Sequence, residues 1–146
     1  MVDDELLIER LFMLVCWRGR AHARTVVDVL AGVREVSVTF ISGSESADLP
    51  YPWVQWGSAA ADEALGRAGL VVVATSAGEP MVVDRQLCVD ATVLAVGAHT
   101  VDTRELHEDV LRGAQVIVED VGAARRVAGD VAMWRSRWRI PEFPKR

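Results

Sequence analysis

Cysteine is scarce in this chain of 146 residues: Cys16 and Cys88 are the only two. They make no disulfide framework, and their separation matches no metal-ligand spacing, so no metal is expected. Also missing is any apolar run near the ~20 residues that a membrane-spanning helix requires. The opening Met1-Val2-Asp3-Asp4-Glu5 is acidic, the reverse of the basic start of a secretory signal. The cytoplasm is therefore the expected location, with no membrane partner. Internal repeats and low-complexity tracts are absent too.

What is present describes an ordinary globular protein. Hydrophobic residues make up 51% and charged residues 25%, and the length suits one domain with one substantial core. The net charge of −5 conceals an asymmetry. Residues 122–146 hold seven Arg and Lys against two acids, Asp130 and Glu142, leaving nine basic against nineteen acidic groups before them. A basic tail on an acidic body suits its own body or a neighbouring subunit better than nucleic acid. No nucleic-acid reader motif accompanies the charge, so no such partner is expected.

The hydrophobic pattern alternates strands with helices. A parallel strand buried on both faces reads as an unbroken apolar run, and residues 70–75 and 92–96 fit that description, as does 115–118. Earlier strands are expected at 11–15, 36–41 and 51–56. Helices are expected at 20–31, closed by Gly32, at 58–65 capped by Ser58, at 105–112 and at 121–128, with a helical turn at 84–88. Together they predict an α/β fold: one Rossmann-like, doubly wound, mostly parallel six-stranded sheet in the order 3-2-1-4-5-6, occupying residues 1–130. Residues 131–146 form a basic, aromatic C-terminal arm in which Trp134 and Trp138 would share a face if helical. Large aromatics near a chain end favour an interface, so a homo-oligomer, in the simplest case a homodimer, is expected.

The residues Ala74-Thr75-Ser76, Glu79-Pro80, Val96-Gly97-Ala98, Glu105-Leu106 and Ala128-Gly129-Asp130 follow one another in an order that resembles the NAD-binding half of the ornithine cyclodeaminase/μ-crystallin family. The likeness is best over residues 64–130. It implies the dinucleotide fold and a crevice at the carboxyl ends of the strands. Members of that family are about twice this length, so the chain is expected to be the nucleotide half standing alone.

The family's key positions are altered. A dinucleotide fingerprint needs glycines after the first strand, for the tight turn, the approach to pyrophosphate and helix packing. Here the segment is Cys16-Trp17-Arg18-Gly19-Arg20-Ala21, and neither register restores the pattern. Arg18, Gly19 and Arg20 keep a capacity for holding phosphate by charge near a helix N-terminus, while Trp17 could fill the vacated space. The second strand should end in an acid for the adenosine ribose; Ile41 is followed by Ser42, Gly43 and Ser44. Ordinary NAD binding is accordingly not expected and no cofactor is the first expectation, while the family resemblance leaves NAD as the alternative. By the resemblance, Thr75 and Ser76 would line the nicotinamide side.

Where the resembling cyclodeaminases carry a proton-transferring aspartate, this chain has His99. An imidazole ordinarily changes charge near neutrality and can serve as a base. Asp102 could orient it, and Glu79 is a further candidate, although a turn-capping role suits Glu79 as well. Cys16 reads either as a reactive thiol beside two arginines or as a small buried hydrophobe. His22 and His107 read as surface residues on helices. Two functions remain open at this point. One is an acid–base enzyme of cyclodeaminase-like, lyase or cyclase type, acting without NAD on a small or peptide-like substrate. The other is a non-catalytic pseudoenzyme serving as a binding or assembly partner, with nucleotide binding through Arg18 and Arg20 as a weaker third.

Overall fold

Parallel strand pairing, expected from the apolar runs, is what the described residues adopt. The computed structural model describes residues 25, 27–29, 31–32, 37–43 and 51–132. The first expected strand, the glycine-loop segment with Cys16, Arg18, Gly19 and Arg20, and the C-terminal arm from residue 133 on lie outside them. The described residues divide into two compact units, with breaks after Ser76, Asp84 and Gly97.

The first unit contains two parallel pairs. Strands β1 (Phe40–Ser42) and β2 (Trp53–Gln55) pair with Phe40 opposite Trp53. Their core joins Val27, Val38, Phe40 and Val72, with Tyr51, Trp53 and Leu70 packed against it. Phe40 and Tyr51 place their ring centroids 5.6 Å apart at a tilt of 35°. Each large apolar side chain buried this way contributes on the order of 1.5–3 kcal/mol. Thr25, Val27, Asp28, Val29 and Ala31 are helical, and the Gly32 N–H reaches back to Asp28 O, so the expected glycine stop is in place.

Helix α1 (Ala59–Arg67) begins as the sequence predicts. Gly57 turns the chain at φ 77, a conformation that favours glycine. Ser58 Oγ accepts from the Ala61 N–H at 3.2 Å and donates to Gln55 O at 2.7 Å. Ala61, Ala64 and Leu65 are buried at helical spacing. Strand β3 (Leu70–Val73) follows, with Val71, Val72 and Val73 at most 1% exposed, and pairs in parallel with β4 (Thr92–Ala95). The continuous valine run is thus a doubly buried strand. β4 is the opposite case, with Leu94 45% exposed.

The second unit is built on an isolated parallel bridge between Val82 and Leu106. Around it lie helices α2 (Glu108–Arg112), α3 (Val121–Val127) and α4 (Gly129–Ala132). Val82, Leu106, Val110, Leu111, Ala124 and Ala132 are its buried apolar residues.

The described residues hold two two-stranded parallel sheets, part of the expected parallel arrangement, and the expected strand at 11–15 lies outside them. Two expectations are corrected. Residues 115–118 are not a strand: Ile117 is 69% exposed and no ladder partner lies among the described residues, and a β-branched run without one has little to hold it extended. The helix expected from 105 starts at 108, because Glu105 and Leu106 use their backbone groups elsewhere. Leu106 bridges Val82, and both N–H groups are taken by Asp130.

Candidate functional site

The loop of residues 98–106 begins the longer segment of the second unit and carries His99. His99 is exposed, as are Thr100, Val101 and Asp102, whereas Glu105 and Leu106 at its far end are buried. The loop folds on itself through its two threonines. Their hydroxyls lie 3.0 Å apart, and Thr103 Oγ1 donates to Thr100 O at 3.0 Å. Asp102 sits at the turn. A hydrogen bond from the Thr100 side chain holds its carboxyl below the ordinary carboxylate value, so it is an anion in neutral water.

From 25 residues further along, two consecutive residues fix this loop. Asp130, only 8% exposed, accepts through one oxygen from the Glu105 N–H at 2.9 Å and the Leu106 N–H at 3.0 Å. Burial pushes its carboxyl above the ordinary value, against the pull of those two bonds and of the Arg104 guanidinium. Gly129 lies against the same loop so closely that a Cβ there would stand 1.8 Å from Thr103 O and 2.5 Å from Thr100 O. Only glycine admits that approach.

The other expected residues are distributed between the units. Thr75 and Ser76 follow β3 in the first unit, Thr75 buried and Ser76 exposed. Glu79 is exposed in the second unit, in the bend before Pro80. His107 is exposed, as expected, and has a local role as well. It is the N-cap of α2, its Nδ1 accepting from the Asp109 N–H at 3.4 Å and lying 3.0 Å from Asp109 Oδ1. Although partial burial works to raise it, the Asp84 N–H and His107 together hold the Asp109 carboxyl below its ordinary value. Asp130 was overlooked as a site residue. The only signal for it was its place in the Ala128-Gly129-Asp130 motif, which by itself gives no contact.

Among the described residues, no group of three His, Cys, Asp or Glu side chains is placed to hold a metal ion, and no helix is long and apolar enough to cross a membrane. For a dinucleotide, the informative position is the end of β1. The strand finishes at Ser42, which is buried, and passes to the exposed Gly43. Neither carries a carboxylate, the group that bonds the adenosine ribose in the usual dinucleotide site.

Comparison with known proteins brings in relatives of the same architecture. The model of the Ornithine cyclodeaminase/mu-crystallin family matches residues 54–142. Among solved structures, the Delta(1)-pyrroline-2-carboxylate reductase of Thermococcus litoralis, in complex with NADH and L-proline, is similar at 21% identity and a TM-score of 0.69, over 85% of this chain and 41% of that one. A probable ornithine cyclodeaminase from Bordetella pertussis Tohama I gives 22% identity and a TM-score of 0.64, over 84% and 42%. The iminosuccinate reductase of Paracoccus denitrificans, in complex with NAD+, gives 15% and 0.70, over 88% and 43%. At such identities the likeness is one of fold, an α/β arrangement of the Rossmann-like dehydrogenase kind. The chain spans about two fifths of the length of these structures. No curated protein sequence matches it.

Proposed function

The chain belongs to the ornithine cyclodeaminase/mu-crystallin family, and from that membership we propose that it is a nucleotide-fold portion of a family protein performing acid–base chemistry on a small or peptide-like substrate, with His99 as the proton-transfer group. The observation that carries this reading is the setting of His99. It lies in the family-matched stretch, exposed, on a loop held by Asp130 and Gly129. An imidazole can take a proton from a substrate amine or a water and return it within the neutral range. Asp102, an exposed anion three residues on, and Glu79 are the acidic candidates.

The expectation that no cofactor is used is not retained. Relatives in this fold are solved with NADH or NAD+, so a nicotinamide dinucleotide is the cofactor class to be tested. The grip should be weak, since the fingerprint glycines are replaced at Cys16 and Arg18 and β1 ends without an acid. Arg18, Gly19 and Arg20 would supply phosphate contacts in place of the glycine loop, and Thr75 and Ser76 would face the nicotinamide side.

Calorimetric titration with NAD+ and NADH is the first test. A dissociation constant weaker than ~100 μM is expected, and one near 1 μM, about 8 kcal/mol of binding, would refute the weak grip. The second is His99→Ala, expected to lower turnover by about 10²–10⁴-fold as loss of a general base does, with the fold intact. Activity surviving within a few-fold would remove His99 from the chemistry. The pseudoenzyme reading is favoured by one observation, the Cys16-Trp17-Arg18 segment in place of a glycine loop. It predicts no dinucleotide binding at millimolar concentration and no effect of His99→Ala.

A further inference from the structure

We propose that Gly129 and Asp130 act together as a clamp that positions the His99-bearing loop, Asp130 being a positioning residue for His99; the inference rests on the reading of His99 as the proton-transfer group.

The clamp has two contacts on one short loop, and they come from neighbouring residues. Asp130 holds the far end through two consecutive peptide N–H groups, Glu105 and Leu106, which a single carboxylate oxygen accepts at 2.9 and 3.0 Å. Gly129 meets the near end at the carbonyl oxygen of Thr100, the residue that follows His99, and the middle, where Thr103 O lies. The loop's own Thr100–Thr103 bonds keep those two carbonyls at a fixed spacing, so that Gly129 faces a preformed pair. His99 is thus one residue from a backbone oxygen in close contact with Gly129. An exposed imidazole on an untethered loop would sample many positions, whereas proton transfer needs its nitrogen held to within a fraction of an ångström.

A stabilising role alone would be met by any good buried contact between α4 and the loop. The pairing seen here is more particular. Asp130 uses one oxygen for both bonds, which fixes the direction of two successive peptides, and burial of a carboxylate is an expensive way to gain stability. A group kept at such cost fits a requirement for geometry.

The test uses the full chain labelled with ¹⁵N and ¹³C. The imidazole signals of His22, His99 and His107 are assigned with the help of His99→Gln, and amide exchange is followed at Glu105, Leu106 and, as a control in the first unit, Leu65. Asp130→Asn keeps the accepting oxygen and should leave both the His99 signals and the two amides as in the parent chain. Asp130→Leu removes it, and exchange at Glu105 and Leu106 should rise about tenfold or more, as loss of a charged hydrogen bond implies, with the His99 signals shifted or broadened and Leu65 unchanged. Gly129→Ala leaves the carboxylate in place, yet it should displace the His99 signals through Thr100. Unchanged His99 signals in Asp130→Leu would overturn the proposal even if the two amides open. So would a chain that fails to fold in both Asp130→Leu and Asp130→Asn, since Asp130 would then be needed for folding itself. Because these readings do not involve turnover, they can succeed when His99→Ala proves harmless to activity, and the two failures stay separable.

Discussion

Gly129→Ala is the substitution whose cost follows most directly from the structure. The added methyl would stand 1.8 Å from Thr103 O, 2.5 Å from Thr100 O and 2.9 Å from Thr103 C. All three obstacles are backbone, so no side-chain rotation relieves them, and the loop must retreat from α4 by more than an ångström. That retreat puts at risk the two bonds from Glu105 and Leu106 to Asp130. Overpacking a fitted site costs typically ~1–3 kcal/mol, and a hydrogen bond to a charged group is worth roughly 1.5–3 kcal/mol. Against these stands the better helix propensity of alanine, at most about 1 kcal/mol within a short helix.

The net expectation is a destabilisation of ~3 kcal/mol, a large share of the ~5–15 kcal/mol that holds a typical domain folded. Gly113→Ala is the control, at the C-cap of α2, where φ is −98 and nothing lies within 4 Å of an added methyl. It should change stability by no more than about 0.5 kcal/mol. Urea unfolding followed by tryptophan fluorescence measures both, the chain having five tryptophans. A Gly129→Ala cost below about 1 kcal/mol, or one equal to that of Gly113→Ala, would refute the close approach of α4 to the loop.

Asp130→Asn should show a pH signature. Because burial raises the Asp130 carboxyl in the folded chain, its stabilising contribution is full below the unfolded value of about 3.9 and is lost as pH rises through the higher folded value. The asparagine variant lacks that loss, so the difference in urea midpoint should move in its favour between about pH 4 and neutrality, and a difference constant with pH would count against the assignment. The C-terminal arm is expected to support self-association: light scattering should find a dimer or larger assembly for the full chain and a smaller species for a chain ending at Ala132. A monomeric full-length chain would remove the oligomer, and a dimer unaffected by the truncation would remove the arm.

The parts of the fold legible in the sequence are those set by local chemistry. Leu70-Val71-Val72-Val73 admits little but a buried strand, and it is one. Ser58 before an alanine-rich, acid-led segment announces a helix start, and its hydroxyl caps the Ala61 N–H. Gly32 ends a helix where the periodicity stops. Where the sequence misleads, a distant group has intervened. Arg104-Glu105-Leu106 carries a helical pattern, but Val82 and Asp130 take its backbone groups first, and the helix waits until Glu108. His107 is the surface histidine its sequence suggests, and its capping of α2 goes unannounced because histidine is no favoured cap. Residues 115–118 have strand composition, and composition does not provide a neighbour to pair with.

The same distinction separates the two halves of the candidate site. His99 is proposed from position and chemical type, since a loop after a strand is where open α/β sheets keep their reactive groups. Gly129 and Asp130 carry no such mark. A glycine followed by an aspartate at the end of a helical segment reads as a stop and a surface acid, and it would cap a helix just as well. What makes them different is contact with a segment more than twenty residues earlier, with a missing side chain on one and a desolvated carboxylate on the other. Both properties depend on what lies opposite. A residue that acts through its own functional group can be picked out from a single sequence, whereas one that acts by fitting against another segment becomes visible only when that segment is in place.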